Sequence, residues 1–146
     1  MGIANLLLEP AMIKVQVSDS WERGSHYERY VGRWSRQVAP AFLAWLKIEP
    51  DRRWLDIGCG TGALSAAILD HCLPSNVKGV EPSEGFRATA GSNLKGRVTL
   101  HSGDAADLPL DDDAVDVVVS GLVLNFIPDV PAALKEMARV TSAGGT

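Results

Sequence analysis

The chain has 146 residues, of which 46% are apolar and 22% are charged, and its formal net charge is −4. This composition is typical of one globular domain and excludes the disordered and fibrous classes. The negative charge argues against nucleic acid or an anionic membrane surface as the main partner, because both attract basic surfaces. Two cysteines indicate neither a disulfide framework nor a metal site, and no apolar run near the start is long enough for a signal peptide or a membrane span. We therefore expect a cytoplasmic protein.

The first 48 residues divide into two parts. Residues 1–24 show no clear period and are expected to form a flexible arm. A capping box then begins at Ser25, and apolar residues follow at steps of three and four, which predicts a helical lid over residues 25–48. Because Gly32 and Pro40 interrupt this pattern, two short helices are expected. The predicted apolar stripe comprises Tyr27, Val31, Trp34, Val38, Phe42 and Trp45.

Residues 49–146 alternate between strand and helix patterns. Strands are predicted at residues 53–57, 77–81, 97–101 and 115–120. Between the first two, a helix should end near Cys72, and a second helix should begin at Pro82 with Ser83 as its cap. Asp129 should cap a last helix that ends at Gly144-Gly145. The expected inward residues are Leu64, Ile68 and Leu69 on the first helix, and Leu134, Met137 and Ala138 on the last. This order predicts an α/β fold with a doubly wound parallel sheet.

A glycine-rich loop follows the first strand. Gly58, Gly60 and Gly62 alternate there, and glycine allows backbone to approach a bound group because it has no Cβ. Ligands bind at the carboxyl ends of strands in this fold class. The loop alone is weak evidence for a nucleotide site, since a tight strand-to-helix turn would also use these glycines.

Acidic residues stand at the ends of three strands. Asp56 lies in the first strand, Glu81 ends the second, and Asp104 follows the third. A carboxylate at Glu81 can accept hydrogen bonds from both ribose hydroxyls of a nucleoside, and Asp104 can accept from an exocyclic amine. Each could alone be a solvated turn residue, but turn chemistry does not readily account for the three together. The combination predicts a nucleoside site.

Several segments together resemble one family, the class I S-adenosylmethionine-dependent methyltransferases of the seven-stranded Rossmann-like group. The chain is most similar to the small-molecule branch that includes ubiquinone and menaquinone methyltransferases. The matching motifs lie, in order, at residues 55–62, 79–83, 103–109, 126–129 and 136–145, and residues 27–35 resemble the N-terminal lid of that branch. The resemblance implies a small-molecule methyl acceptor and S-adenosylmethionine as cofactor.

The resemblance also assigns roles to residues. The loop glycines would approach the methionine portion and ribose, and Asp56 would contact the amino group. Glu81 would hold the ribose, and Asp104 with the N–H of Ala105 would hold the adenine. Residues 120–122 would line the floor below the sulfonium. The residues assigned to the cofactor are Tyr30, Asp56, Gly58, Gly60, Gly62, Glu81, Pro82, Ser83, Asp104, Ala105, Ser120, Gly121 and Leu122.

The catalytic residue stays open, because Asn125 stands where members of this family often carry His. No metal is implied, and the acidic run at residues 111–113 is expected to be a solvated turn. A nicotinamide-dependent oxidoreductase is the alternative, since its Gly-x-Gly-x-x-Gly pattern tolerates Ala63 at the last position. Asp56 and the segment 103–105 favour the methyltransferase, because neither belongs to that pattern.

The last residues bear on how much of the family fold is present. A fifth strand of the seven is expected to begin near Thr146, so we expect residues 49–146 to hold only the cofactor-binding half, strands 1–4. A non-catalytic S-adenosylmethionine-binding fragment is therefore a further alternative. The β-branched strand at residues 115–120 would then have an open edge, which predicts self-association.

Overall fold

The computed structural model describes residues 33–146, so the predicted arm, the capping box and Tyr30 lie outside the described residues. The elements in chain order are α1 (Arg33–Leu46), β1 (Arg53–Ile57), α2 (Ala63–His71), β2 (Asn76–Val80), α3 (Glu84–Leu94), β3 (Thr99–His101), β4 (Val117–Val119), a short 3-10 helix (Leu124–Phe126) and α4 (Val130–Val140). Each predicted strand is present, although β3 and β4 are shorter than expected.

The four strands form one parallel sheet in the order β3-β2-β1-β4. β1 lies in the interior of the sheet, with Asp56 beside Gly79 on one neighbour and beside Val119 on the other. The chain therefore reverses its direction of travel across the sheet next to β1, which is where ligands bind in such folds. The predicted α/β class with a doubly wound parallel sheet is confirmed.

Helices cover both faces of the sheet, and β1 divides its side chains between two cores. Trp54 faces the core formed with α1, α2 and α3, whereas Leu55 and Ile57 face the core formed with α4. This alternation follows from the two-residue period of a strand. Asp56 consequently points to the same face as Trp54, toward α2, and is 1% exposed. Within residues 33–146, no helix is both long enough and apolar enough to span a membrane.

The prediction of two short helices is wrong for α1, which continues through Pro40. Proline removes one backbone donor, but the helix stays anchored because Ala39 and Leu43 are buried in the core on either side of it. The predicted apolar stripe also differs from the face of α1 that packs on the core, since Val38 is 59% and Trp45 is 73% exposed. The inward face consists of Ala39, Phe42, Leu43 and Leu46.

The last helix ends earlier than predicted, at Val140 instead of Gly144-Gly145. Asp129 caps it as expected, with its side chain accepting a hydrogen bond from the N–H of Ala132. The helix buries Ala133 and Val140, with Met137 partly buried, whereas Leu134 and Ala138 are exposed. The prediction for those two residues is therefore wrong. Apolar spacing alone did not show which side of the helix contacts the sheet.

The chain after α4 turns back along β4. The N–H of Thr146 donates to the carbonyl of Asp116 at 3.0 Å, and the N–H of Val118 donates to the carbonyl of Thr146 at 2.8 Å. This is the hydrogen-bond pattern of a parallel strand neighbour. The edge that was expected to be open is thus partly covered, because Thr146 occupies two of its backbone groups, and the expected start of a fifth strand agrees with this contact.

Candidate functional site

The glycine loop after β1 is built on three residues with left-handed backbone angles. The φ angles are +66° at Gly58, +54° at Gly60 and +90° at Gly62. The N–H groups of Gly58 and Cys59 donate to the carbonyl of Val80, which ties the loop to the end of β2. A Cβ on Gly58 would lie 2.6 Å from both methyl carbons of Val123, so the chain itself already fills the space next to this glycine.

Glu81 is the buried acid that organises the loop. Its side chain is 7% exposed. One carboxylate oxygen accepts from the N–H of Gly60 at 3.0 Å, and the other accepts from the N–H of Ser83 at 2.9 Å. A carboxylate can accept about four hydrogen bonds, so each oxygen keeps capacity for a further donor. Arg87 fixes the backbone here by donating to the carbonyls of Glu81 and Pro82.

Asp56, in β1, is a second buried acid. Its Oδ2 accepts a hydrogen bond of 2.6 Å from the hydroxyl of Ser65, which is itself fully buried. Burial raises the pKa of Asp56 to about 7, while the Ser65 hydrogen bonds oppose this rise and the charge of Glu81 adds to it. The carboxyl therefore changes its charge near neutral pH.

A cavity of about 500 Å³ lies above the carboxyl ends of β1 and β2. Seven predicted site residues line it, namely Gly58, Gly60, Glu81, Pro82, Asp104, Ala105 and Leu122. Its other lining residues, which were not predicted as site residues, include Phe86, Val123 and the run from Asn125 to Pro128. Asn125 is one of these lining residues.

A smaller cavity of about 270 Å³ lies between α1 and the glycine loop. Four predicted residues line it besides the shared Gly58, namely Asp56, Ser120, Gly121 and Leu122. From α1, the contributions are Ser35, Val38, Ala39 and Phe42. Because Gly58 and Leu122 line both cavities, the two spaces adjoin each other at the loop.

Two predicted site residues do not appear among the described residues that line the cavities. Gly62 is the N-terminal cap residue of α2, and a Cβ there would lie 2.8 Å from Cδ1 of Leu94. Ser83 caps α3 by accepting from the N–H of Phe86, as predicted, and its own N–H supports Glu81. Both residues therefore support the loop and the Glu81 carboxylate from within the structure, and a direct contact of either residue with a ligand stays a prediction.

Asp104 and Ser120 line the cavities but also have partners in the protein. Oδ1 of the exposed Asp104 accepts from the N–H of Ala106 at 2.8 Å. The Ser120 hydroxyl donates to the carbonyl of Ile57 at 3.1 Å, which secures the end of β1. Their polar groups are therefore held in place by local hydrogen bonds.

Other residues support the loop from outside it. Asn93 on α3 donates to the carbonyl of Thr61 at 2.9 Å and so fixes the loop from below. A Cβ on Gly79 would lie 2.9 Å from Sγ of Cys59, so this strand glycine allows the loop to approach β2. Burial raises the pKa of the Cys59 thiol, which makes a thiolate nucleophile unfavourable there.

The acidic run at residues 111–113 is an exposed turn, as predicted, and one of its members has a partner in the protein. Asp112 accepts from Arg139, and Arg139 also donates to Glu136 and to the carbonyls of Leu108 and Leu110. Glu136 in turn accepts from the N–H of Leu108. Among residues 33–146, no cluster of three or more histidine, cysteine or acidic side chains could hold a metal ion.

Curated proteins with similar sequences are methyltransferases. The demethylmenaquinone methyltransferase of Symbiobacterium thermophilum is 33% identical over 92% of this chain and 51% of its own length. The enzyme of the same name from Lactobacillus johnsonii is 36% identical over 71% of this chain and 45% of its own length. The chain thus spans about half the length of these curated relatives.

A family model and a solved structure agree with these relatives. A SAM-dependent methyltransferase of Thermotoga maritima superposes with a TM-score of 0.68 at 32% identity, covering 86% of this chain and 56% of the other. The model of the methyltransferase domain family matches residues 55–146. These residues include the end of β1, the glycine loop, Glu81, Asp104 and every described residue that lines the larger cavity. The chain therefore belongs to the methyltransferase domain family.

Proposed function

We propose that the chain binds S-adenosylmethionine and supplies the cofactor-binding half of an enzyme that methylates a small apolar acceptor. Glu81 carries this proposal. It lies buried beside the larger cavity, with both carboxylate oxygens oriented by backbone N–H groups. Two adjacent ribose hydroxyls can donate to such a carboxylate, which favours a nucleoside as the ligand.

The two cavities suit the two ends of this cofactor. The larger cavity offers Asp104 and Ala105 to an adenine ring beyond Glu81. The smaller cavity offers the carboxyl of Asp56 to a cationic amino-acid end. The sulfonium would lie between them, near Gly58 and Leu122, which line both cavities. In this arrangement α1 serves as part of a lid over the methionine portion.

The apolar surroundings favour an apolar acceptor. Leu122 is 61% and Phe126 is 65% exposed, and both lie at the cavities. Demethylmenaquinone methyltransferases are relatives of the chain, and quinols are aromatic and apolar. An acceptor ring could pack against these side chains with a reacting carbon or oxygen directed at the sulfonium.

The bound cofactor supplies a methyl group on a positively charged sulfur, which makes this group reactive toward a nucleophile. The residues of the chain align the reactants, and alignment can account for much of the rate enhancement. Asn125 lines the larger cavity, but it is not the base for the acceptor proton, because its amide is neutral and cannot take up this proton.

Calorimetric titration with S-adenosylhomocysteine tests the proposal. Replacing Glu81 by Ala removes a charged acceptor, so affinity should fall by about tenfold to a hundredfold, the equivalent of roughly 1.5–3 kcal/mol. The matched control is Glu84→Ala, which removes an exposed carboxylate three residues away. Equal affinity of the unsubstituted and Glu81→Ala chains would refute the assignment, and tight binding of NADH instead would favour an oxidoreductase.

A further inference from the structure

Two buried polar side chains meet at the smaller cavity, which one of them lines. Asp56 is 1% exposed and Ser65 is 0% exposed, and the hydroxyl of Ser65 donates to Oδ2 of Asp56 at 2.6 Å. Ser65 lies in α2, nine positions further along the chain than Asp56 in β1. The hydrogen bond therefore fixes the carboxyl relative to the helix that begins directly after the glycine loop. Asp56 lines the smaller cavity.

We propose that Ser65 is a positioning residue that holds the Asp56 carboxyl toward the smaller cavity, so that it binds the ammonium group of the cofactor and releases a proton on doing so. The inference rests on the proposed function, because it needs the amino-acid end of the cofactor in this cavity. It assigns a role to a residue of α2 that is not one of the described residues lining either cavity.

The physical basis is the cost of a buried charge. An unpaired carboxylate with so little contact with water favours its protonated form, and a cation within a few ångströms reverses this preference. Burial raises the pKa of Asp56 to about 7, so part of the population is protonated at neutral pH. Binding of an ammonium group would draw this population to the ionised form, and the proton would pass to solvent.

The neighbours of Asp56 determine how it responds. From the end of β2, the charge of Glu81 disfavours ionisation, and from α2 the Ser65 hydroxyl favours it. From the glycine loop, Cys59 contributes a thiol whose own pKa is raised by burial. No cationic partner contributes to the pKa shift of Asp56 among residues 33–146. A cation in the cavity would therefore supply the missing countercharge.

The test compares two ligands across pH. S-adenosylhomocysteine carries the ammonium group, whereas 5′-methylthioadenosine has the same nucleoside and no amino-acid end. Affinity for the first should be about tenfold weaker at pH 6 than at pH 8, because a group that titrates near pH 7 must lose its proton. Affinity for 5′-methylthioadenosine should stay constant over this range.

The substitution Ser65→Ala should move the pH midpoint for S-adenosylhomocysteine upward, because the carboxylate loses its donor. The control Ser92→Ala removes an exposed serine whose hydroxyl donates only within its own helix, and it should leave the midpoint unchanged. If the role of Ser65 were purely structural, the substitution would weaken binding of both ligands equally without moving the pH midpoint. That result would overturn the proposal.

Proton release offers a second readout that needs no variant. Titration of the unsubstituted chain with S-adenosylhomocysteine in phosphate and in Tris at pH 7 should give different apparent enthalpies, because these buffers differ in ionisation enthalpy. Equal enthalpies, or a pH dependence shared by both ligands, would overturn the inference. Binding of neither ligand would refute the cofactor site itself, and this result is distinct from a failure of the Ser65 argument alone.

Discussion

Replacing Gly62 by Ala should destabilise the fold while leaving the folded site able to bind its ligand. Gly62 has a φ angle of +90°, which side-chain-bearing residues rarely adopt. Its new Cβ would lie 2.8 Å from Cδ1 and 3.0 Å from Cγ of Leu94. Leu94 is 1% exposed and packed in the core under α3, so it has little room to withdraw.

The magnitude follows from two contributions. A left-handed backbone angle costs a residue with a side chain about 1–2 kcal/mol. Inserting a methyl group into a filled core costs about 1–3 kcal/mol. The free energy of unfolding should therefore fall by roughly 2–5 kcal/mol, and the melting temperature should fall by on the order of 10 °C for a domain of this size.

Urea unfolding followed by tryptophan fluorescence measures this effect, since the fully buried Trp54 becomes exposed on unfolding. The matched variant is Gly60→Ala, whose φ angle of +54° imposes similar strain at a residue that lines the larger cavity and donates to Glu81. Gly60→Ala should weaken S-adenosylhomocysteine binding, and Gly62→Ala should not. Unchanged stability of the Gly62→Ala chain would refute the structural role given to this glycine. Loss of S-adenosylhomocysteine binding by a folded Gly62→Ala chain would refute it as well.

Two further predictions concern the region around β4. Arg139 lowers the pKa of Glu136 to about 2, mainly through the hydrogen bonds between their side chains. The ionised Glu136 therefore stabilises the fold fully above its ordinary pKa of 4.5, and this stabilisation is lost as the pH falls through about 2. Amide exchange at residues 108–113, corrected for intrinsic rates, should therefore accelerate between pH 5 and pH 2, and an Arg139→Ala chain should exchange fast throughout; unchanged protection in either case would contradict this. Thr146 occupies only part of the outer edge of β4, and unpaired backbone groups of a strand edge can pair with another chain. We therefore expect the 146-residue chain to self-associate at micromolar concentration. Light scattering from a monodisperse monomer would exclude this.

The positions of the strands and of the main acidic residues could be predicted because they depend on local patterns. A short apolar run followed by alternating glycines marks β1 and its loop, and the observed strand has the predicted bounds, residues 53–57. Glu81 and Asp104 follow two other strands. Parallel strands bring their carboxyl ends to one edge of the sheet, so all of these residues converge without any knowledge of side-chain packing.

The orientation of helices could not be predicted in the same way. Large aromatic side chains suggested that Trp45 faces inward, whereas the small Ala39 and the aliphatic Leu43 are the buried residues of α1. Close approach of two helices favours small residues, and a pattern based on size misses this. The packing reason for a glycine at position 62 could not be predicted either, because the neighbour that leaves no room for a side chain is Leu94, which is 32 positions away in the chain.

The pairing of Ser65 with Asp56 had no sequence signal, because serine is common in helices and mostly exposed. Only the crossing of α2 over β1 brings the hydroxyl to the carboxylate. The contribution of Val123 and Phe126 to the cavity wall shows a similar limitation, since they lie in or beside a short 3-10 helix that has no regular period.

The position of S-adenosylhomocysteine in a crystal structure of its complex with this chain tests the central claim most directly. The account predicts that both ribose hydroxyls donate to the carboxylate of Glu81, with the adenine in the larger cavity beside Asp104 and the amino-acid end in the smaller cavity beside Asp56. A nucleoside bound elsewhere on the chain, or bound in the reverse direction with its amino-acid end beside Asp104, would contradict it.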